Sequence, residues 1–512
     1  MTTRRTVLAG AAALVGGWSA AAVGAPAVTC AAGTFIGTRD GIVSTFRGIR
    51  YGRAERFRAA VAEPGARSPV PAVMFGPACP QLSRRQPQAE DCLHLNIWTA
   101  EPDARARRPV LVWIHGGAYA FGSAADPITD GTRLAARGDV VVVSVNHRLN
   151  LFGYLYLAGL DPRFADSGNV GQLDLVLALR WVRANIAAFG GDPGRVTLVG
   201  HSGGGAKIAT LTAMPAAQGL FAGAITMSGQ QVTVTAPARA TARARAVLAR
   251  LGGAAPADLL TVPAQRLVDA IDTPDPFEES AIYMGPVLDG SWLTRHPFSP
   301  DAHPAGLGVA LMLGGTRDEL RDFSDPLSPA MRQLSWADLP ARLAAELPVA
   351  IDPATVVAAY RRQLPAASPA DIFYAAGTDG RSWRPQLIEA EARARAGRPA
   401  WMYQVDFVSP TKPERGAFHG IDIGLLFGTL DASDAWTGTG PSARAVSRVI
   451  QDRFTAFATS GTPHVGGLPD WPAYTLPSRA TMVFDGHSRV VHAPRDWQRA
   501  LFAAATYTQP GT

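Results

Sequence analysis

Lysine is almost absent from these 512 residues: only Lys207 and Lys412 carry it, and arginine supplies the rest of the 48 basic side chains. The basic residues are interleaved with 42 acidic ones, leaving a formal charge of +6. No basic cluster alternates with aromatics as a nucleic-acid-binding stripe would, so no nucleic-acid partner is expected. Long apolar runs are missing as well. Beyond the first 27 residues nothing reaches the roughly 18 uninterrupted apolar residues of a transmembrane helix, which excludes a stable span in the mature chain. A fixed-period repeat and a long Pro/Ser linker are both absent, arguing against solenoids and against two separate domains. Cysteine is scarce, with Cys30, Cys79 and Cys92 only.

What is present is a composition that is 47% hydrophobic, enough to bury a large core. The opening "TTRRTVLAGAAALVGGWSAAAVGAPA" joins a twin Arg4-Arg5 to small apolar residues and ends in Ala-x-Ala-like sites at Ala25 or Ala27. It resembles a twin-arginine export signal over residues 1–27, placing the mature protein outside the cytoplasm. An exported chain with three cysteines permits one disulfide. The polar, loop-like "CPQLSRRQPQAEDC" makes Cys79 and Cys92 the expected pair, a closure worth about 3 kcal/mol. Cys30 then stays free in a buried first strand.

Short β-like runs ("GTFIGT", "GIVSTFRGI", "LHLNIWTA") precede the apolar "PVLVWIHGG" and "DVVVVSVNHRL". Continuous rather than alternating Val/Leu/Ile runs predict strands covered on both faces. "GNVGQLDLVLALRWVRANIAAF", from Gly168 to Phe189, has helical spacing and leads through "DPGR" into the strand "VTLVG". Strand, helix and strand in succession predict a mostly parallel α/β sheet flanked by helices. Ala/Arg-rich helical stretches from about residue 235 to 400, broken by "VALMLGG" and "AWMYQVDF", read as insertions around 235–310 and 325–400. The whole of 28–512 is expected to be one domain.

"GHSGG" at 200–204 fits the nucleophile-elbow pattern G-x-S-x-G, between a predicted strand and a predicted helix. Small neighbours let the two elements approach closely enough to present the hydroxyl of Ser202. A serine needs a base, and the base needs an acid to fix its tautomer. Downstream, "LGGTRDELRDF" offers Asp318 and Glu319, and "RGAFHGIDIGLLFG" offers His419. The order Ser, acid, His is that of an α/β-hydrolase. "WIHGGAYAFG" adds glycines after a strand, whose backbone N–H groups can face a cavity without Cβ obstruction. His94 and His147 read as structural groups, and His487 and His492 have no companion motif.

Together these motifs make the chain resemble the type-B carboxylesterases, the group that includes the cholinesterases. "FRGIRYG", "EDCLHLNIW", "NIAAFGGDPGRVTLVGHSGG", "MSGQ", "GPVLDG", "GGTRDE", "FHGIDIGLLFG", "FTAFATSGTP" and "WPAY" match the family in order over nearly the whole mature chain. The resemblance implies an α/β-hydrolase fold and a Ser202–Glu319–His419 triad with Glu319, not Asp318, as the acid. It carries the oxyanion-hole donors onto Gly117, Ala118 and Gly203. It also implies a polar network of Ser228 and Asp422 behind His419. The substrate class is a small-molecule carboxylic ester, and neither cofactor nor metal is implied.

Three positions depart from the family. His201 stands where an acidic Glu usually precedes the serine, Arg50 where Pro is usual, and Leu175 where Gln is usual. Loss of the acidic group, and a 79–92 loop without an aromatic to stack on a quaternary ammonium, point to neutral esters rather than choline esters. His201 is also a rival base for Ser202, although its place on the turn sets it badly for in-line transfer. A catalytically silent interaction module on the same fold remains an alternative, as do amidase and acyltransferase chemistry.

Overall fold

Apolar β-branched runs dictate the centre of the molecule. In the computed structural model, which describes residues 24–83 and 86–512, eleven strands form one sheet. They are β1 (Thr38–Asp40), β2 (Val43–Arg50), β3 (His94–Thr99), β4 (Arg108–Ile114), β5 (Val141–Val145), β6 (Gly191–His201), β7 (Gly223–Met227), β8 (Ala310–Thr316), β9 (Ala400–Val405), β10 (Ala480–Phe484) and β11 (Arg489–His492). Their order is β11-β10-β9-β8-β7-β6-β4-β5-β3-β2-β1. The pairs from β5 through β10 are parallel, and antiparallel strands finish both edges. This is the α/β-hydrolase architecture that the sequence motifs imply. All but the last four residues of the signal-like segment, 24–27, lie outside the described residues.

Period-two alternation explains why both faces of the strands are apolar. Val110, Val112 and Ile114 of β4 face one core, while Leu111 and Trp113 face the other. The first core is covered by α1 (Val170–Asn185), whose Leu173, Val176 and Leu179 pack on the sheet. α2 (Gly203–Thr212) follows β6 directly and lies on that same side through Ile208 and Leu211. The inserted region supplies α3 (Pro237–Arg250), α4 (Pro353–Gln363), α5 (Pro369–Thr378) and α6 (Arg384–Arg395). Val356, Tyr360, Ile372 and Phe373 of α4 and α5 build a third, separate apolar cluster. α7 (Ile421–Phe427) and α8 (Pro441–Ser460) cover the opposite face of the sheet. Between residues 273 and 303 the first insertion contains no regular helix or strand, so apart from one 3-10 turn at Pro304–Gly306 its helical character is confined to its first half. Among the described residues no helix is long and apolar enough to cross a membrane.

The expected disulfide is corrected. Cys79 and Cys92 are both free and buried. Contact with Cys79, followed by burial, pushes the Cys92 thiol well up. The Cys79 sulfur accepts the Leu149 N–H at 3.3 Å. Cys92, held in the thiol form, does not supply the thiolate that oxidation requires. Cys30 is free as expected but only half-buried, at the end of the short strand Ala27–Cys30. Arg50 pairs with Asp91 at the surface.

A buried ion pair between Arg148, just after β5, and Asp174 of α1 ties the sheet to its covering helix. The guanidinium donates to both carboxylate oxygens at 2.8 and 2.7 Å, and the Arg148 N–H adds a third bond at 3.0 Å. Removing one partner of such a pair strands the other charge out of water. Asp174→Ala is therefore expected to lower the unfolding free energy by about 3–5 kcal/mol, measured by urea titration against the unaltered protein.

Candidate active site

β6 ends at His201, and the chain reverses into α2 at Ser202, where φ is 54° and ψ is −124°. Such a conformation is strained for an L-residue, and its surroundings hold it. The Ser202 N–H donates to the Met227 carbonyl at 2.7 Å. The following residues must be glycine for steric reasons. A Cβ at Gly204 would lie 2.0 Å from the Ile114 carbonyl oxygen, and one at Gly203 would lie 2.1 Å from that of Ala118. The elbow thus packs directly against the loop that leaves β4.

That loop carries Gly116, Gly117 and Ala118. Gly117 has φ 86°, and Ala118 takes φ 50° despite its Cβ. Among the described residues the N–H groups of Gly117, Ala118 and Gly203 find no hydrogen-bond acceptor. Three unpaired donors therefore gather beside Ser202, next to a cavity of about 680 Å³ bordered by Gly116, Gly117, His201, Trp113, Phe121 and Ile423.

Glu319 lies just beyond the end of β8, with 1% of its surface exposed. Its Oε2 contacts Nδ1 of His419. Its Oε1 accepts from Ser228 Oγ at 2.6 Å and from the Thr316 N–H at 2.7 Å. Burial raises the Glu319 carboxyl, but the imidazole and the two other donors outweigh it and hold the group below the usual range. Burial lowers His419, and the Glu319 carboxylate with its hydrogen bond more than reverses that, leaving His419 above its ordinary value. Asp318 turns elsewhere: it accepts the Ala417 N–H at 2.9 Å and pairs with Arg317 at 3.1 Å. It anchors the loop that brings His419 in.

The ring of His201 lies 4.3 Å, centroid to centroid, from that of His419, which places His419 beside the elbow. Burial, reinforced by His419, keeps His201 well below its ordinary value, so this neighbour is uncharged. Phe323 covers another side of His419 at 4.8 Å. Asp422, on the first turn of α7, is fully buried. Burial and the nearby Glu319 charge push its carboxyl up to about 7. Ser228 thus meets Glu319 directly, whereas Asp422 acts on the pair through its field. His147, read as structural, is buried and stacked on His115 at 4.7 Å. Lys207 belongs to no motif in the sequence, and its rarity as one of two lysines is the signal available there. It is buried on α2, and its Nζ donates to the Ala118 carbonyl at 2.6 Å. No group of His, Cys, Asp and Glu side chains suited to a metal ion occurs among the described residues.

Comparison with known proteins gives the family. Residues 24–499 match the model of the carboxylesterase family. The para-nitrobenzyl esterase of Bacillus subtilis is 35% identical over 92% of this chain and 97% of its own length. A liver carboxylesterase of Sus scrofa is 32% identical over 75% of this chain and 72% of its own. The crystal structure of a Geobacillus stearothermophilus carboxylesterase superimposes with a TM-score of 0.83 at 34% identity, covering 93% of this chain and 99% of the other. The chain belongs to the carboxylesterase family.

Proposed function

We propose that Ser202 is the nucleophile of an exported esterase acting on neutral esters through an acyl-enzyme. Ser202 Oγ attacks the ester carbonyl while His419 takes its proton. Glu319 holds the imidazole by Nδ1 and offsets the charge it gains. Negative charge moves onto the carbonyl oxygen, where the N–H groups of Gly117, Ala118 and Gly203 receive it. Collapse expels the alcohol with the proton from His419, and water, activated by the same imidazole, releases the acid and restores Ser202. Ser228 steadies Glu319. What supports this mechanism is the Glu319–His419 contact, with His419 beside His201, next in the chain to a strained serine with three unpaired backbone donors nearby.

A fluorophosphonate probe is expected to add its mass to the peptide bearing Ser202. An adduct on a different serine would remove Ser202 from this role.

The preference for neutral esters rests on the uncharged His201 where an acid is usual. Asp126 and Asp434 also border the cavity, yet both are already engaged by other groups. A choline ester is therefore expected to show no advantage in kcat/KM over its neutral carbon isostere. A strong preference for the cation would contradict the charge argument. Export rests on the Arg4-Arg5 segment, and loss of secretion from the native host on replacing both arginines by lysine is its test.

A further inference from the structure

Lys207 buries an amine with no ion-pair partner among the described residues, directly behind the loop that carries Gly117 and Ala118. Among the described residues the amine makes one hydrogen bond, to the Ala118 carbonyl at 2.6 Å. The ring of Tyr119 lies 5.2 Å from Nζ, and the stacked His115 and His147 face it from the ends of β4 and β5. Both histidines are held neutral, chiefly by burial and then by the charge of Lys207 itself. Tyr154 stands behind Tyr119 at 4.9 Å, and Gln172 of α1 donates to the Lys207 backbone carbonyl at 3.2 Å. A lone cation in such a pocket is costly: burial pulls its pKa down to about 7. The unfolded chain keeps the proton up to its ordinary value. Folding is therefore penalised below that value, most fully at and below neutrality.

The cost has a structural counterpart. Ala118 sits at φ 50°, a region that side chains with a Cβ occupy only when surroundings force them there. Its carbonyl is gripped from α2 by Lys207, four residues after Gly203. Residues four apart share a helix face, so one rigid helix presents both the Gly203 N–H and the anchor for the loop bearing the other two donors. We infer that Lys207 is a positioning residue of the oxyanion pocket, holding Ala118 in its left-handed conformation so that the donors of Gly117 and Ala118 stay aimed at the developing negative charge.

This inference rests on the serine mechanism proposed above. The test pairs Lys207→Met, similar in length but without a donor, with Ser202→Ala as control. Complete removal of one such donor costs about 10²- to 10³-fold in kcat. A misaimed loop is therefore expected to cost about 10- to 100-fold in kcat, with KM changed by less than about threefold. Affinity for a boronic acid, which forms a tetrahedral adduct on serine, should fall by the same factor as kcat, while affinity for the product alcohol stays unchanged. The melting temperature should hold or rise, since a buried charge is gone. Lys207→Gln, which keeps an amide donor on a shorter stem, should fall between the two and carries the test if Lys207→Met does not fold.

Unchanged kcat in a folded variant would overturn the inference. So would a loss of kcat shared equally by alcohol binding and melting temperature, the signature of a packing role. If Ser202→Ala itself retained turnover, the nucleophile assignment would fail, and with it the ground for this one.

Discussion

Ser202→Ala is expected to lower kcat for a short-chain p-nitrophenyl ester by about 10⁴-fold or more, while the protein remains folded. The size follows from the chemistry. Without the hydroxyl there is no acyl-enzyme, and water must attack the bound ester with only the backbone donors and substrate positioning left to help. The intact fold follows from the elbow. Its shape is set by Gly203 and Gly204 against the carbonyls of Ala118 and Ile114, and by the Ser202 N–H on Met227. None of these uses the hydroxyl, and alanine is no worse at positive φ than serine. An unchanged melting temperature with turnover lost is thus the specific result. A variant that keeps wild-type turnover would exclude Ser202 as the nucleophile.

The parts of this site that could be read in the sequence are those written in contiguous residues. The elbow is one such part, because a strand, a serine and close-approach glycines must follow one another along the chain. The central strands are another, since burial on both faces leaves an unbroken apolar run. Other features depend on residues that meet only after folding. Arg148 and Asp174 are 26 residues apart, and no local pattern marks them as a pair. Cys79 and Cys92 are close enough in sequence to suggest a bond, yet they pack as two free, buried cysteines. The Ala/Arg pattern foretold α3, but the irregular 273–303 segment has no periodicity to read. Lys207 was visible as an oddity in an arginine-rich chain. Its partner, a backbone carbonyl, could not be named before the loop after β4 had been placed.

The choice between the adjacent Asp318 and Glu319 calls for a paired experiment with a second large expected effect. Only Glu319 reaches His419, and it does so with Ser228 and the Thr316 N–H fixing its other oxygen. Glu319→Gln keeps the size but removes the charge that stabilises an imidazolium, and its amide can present N–H to Nδ1 and enforce the wrong tautomer. A loss of about 10⁴-fold in kcat is expected. Asp318→Asn keeps an oxygen for the Ala417 N–H, so its effect should be confined to a small drop in loop stability. The pH profile separates the roles further. His419 accepts the serine proton only when neutral, so activity rises with pH through its pKa, which burial lowers and the Glu319 carboxylate raises above the ordinary value. Without that carboxylate, burial is left unopposed by its strongest counterweight. The acid limb of the residual activity in Glu319→Gln must therefore move to lower pH, whereas in Asp318→Asn it stays where it was. A crippled Asp318→Asn beside an active Glu319→Gln would reverse the assignment of the acid.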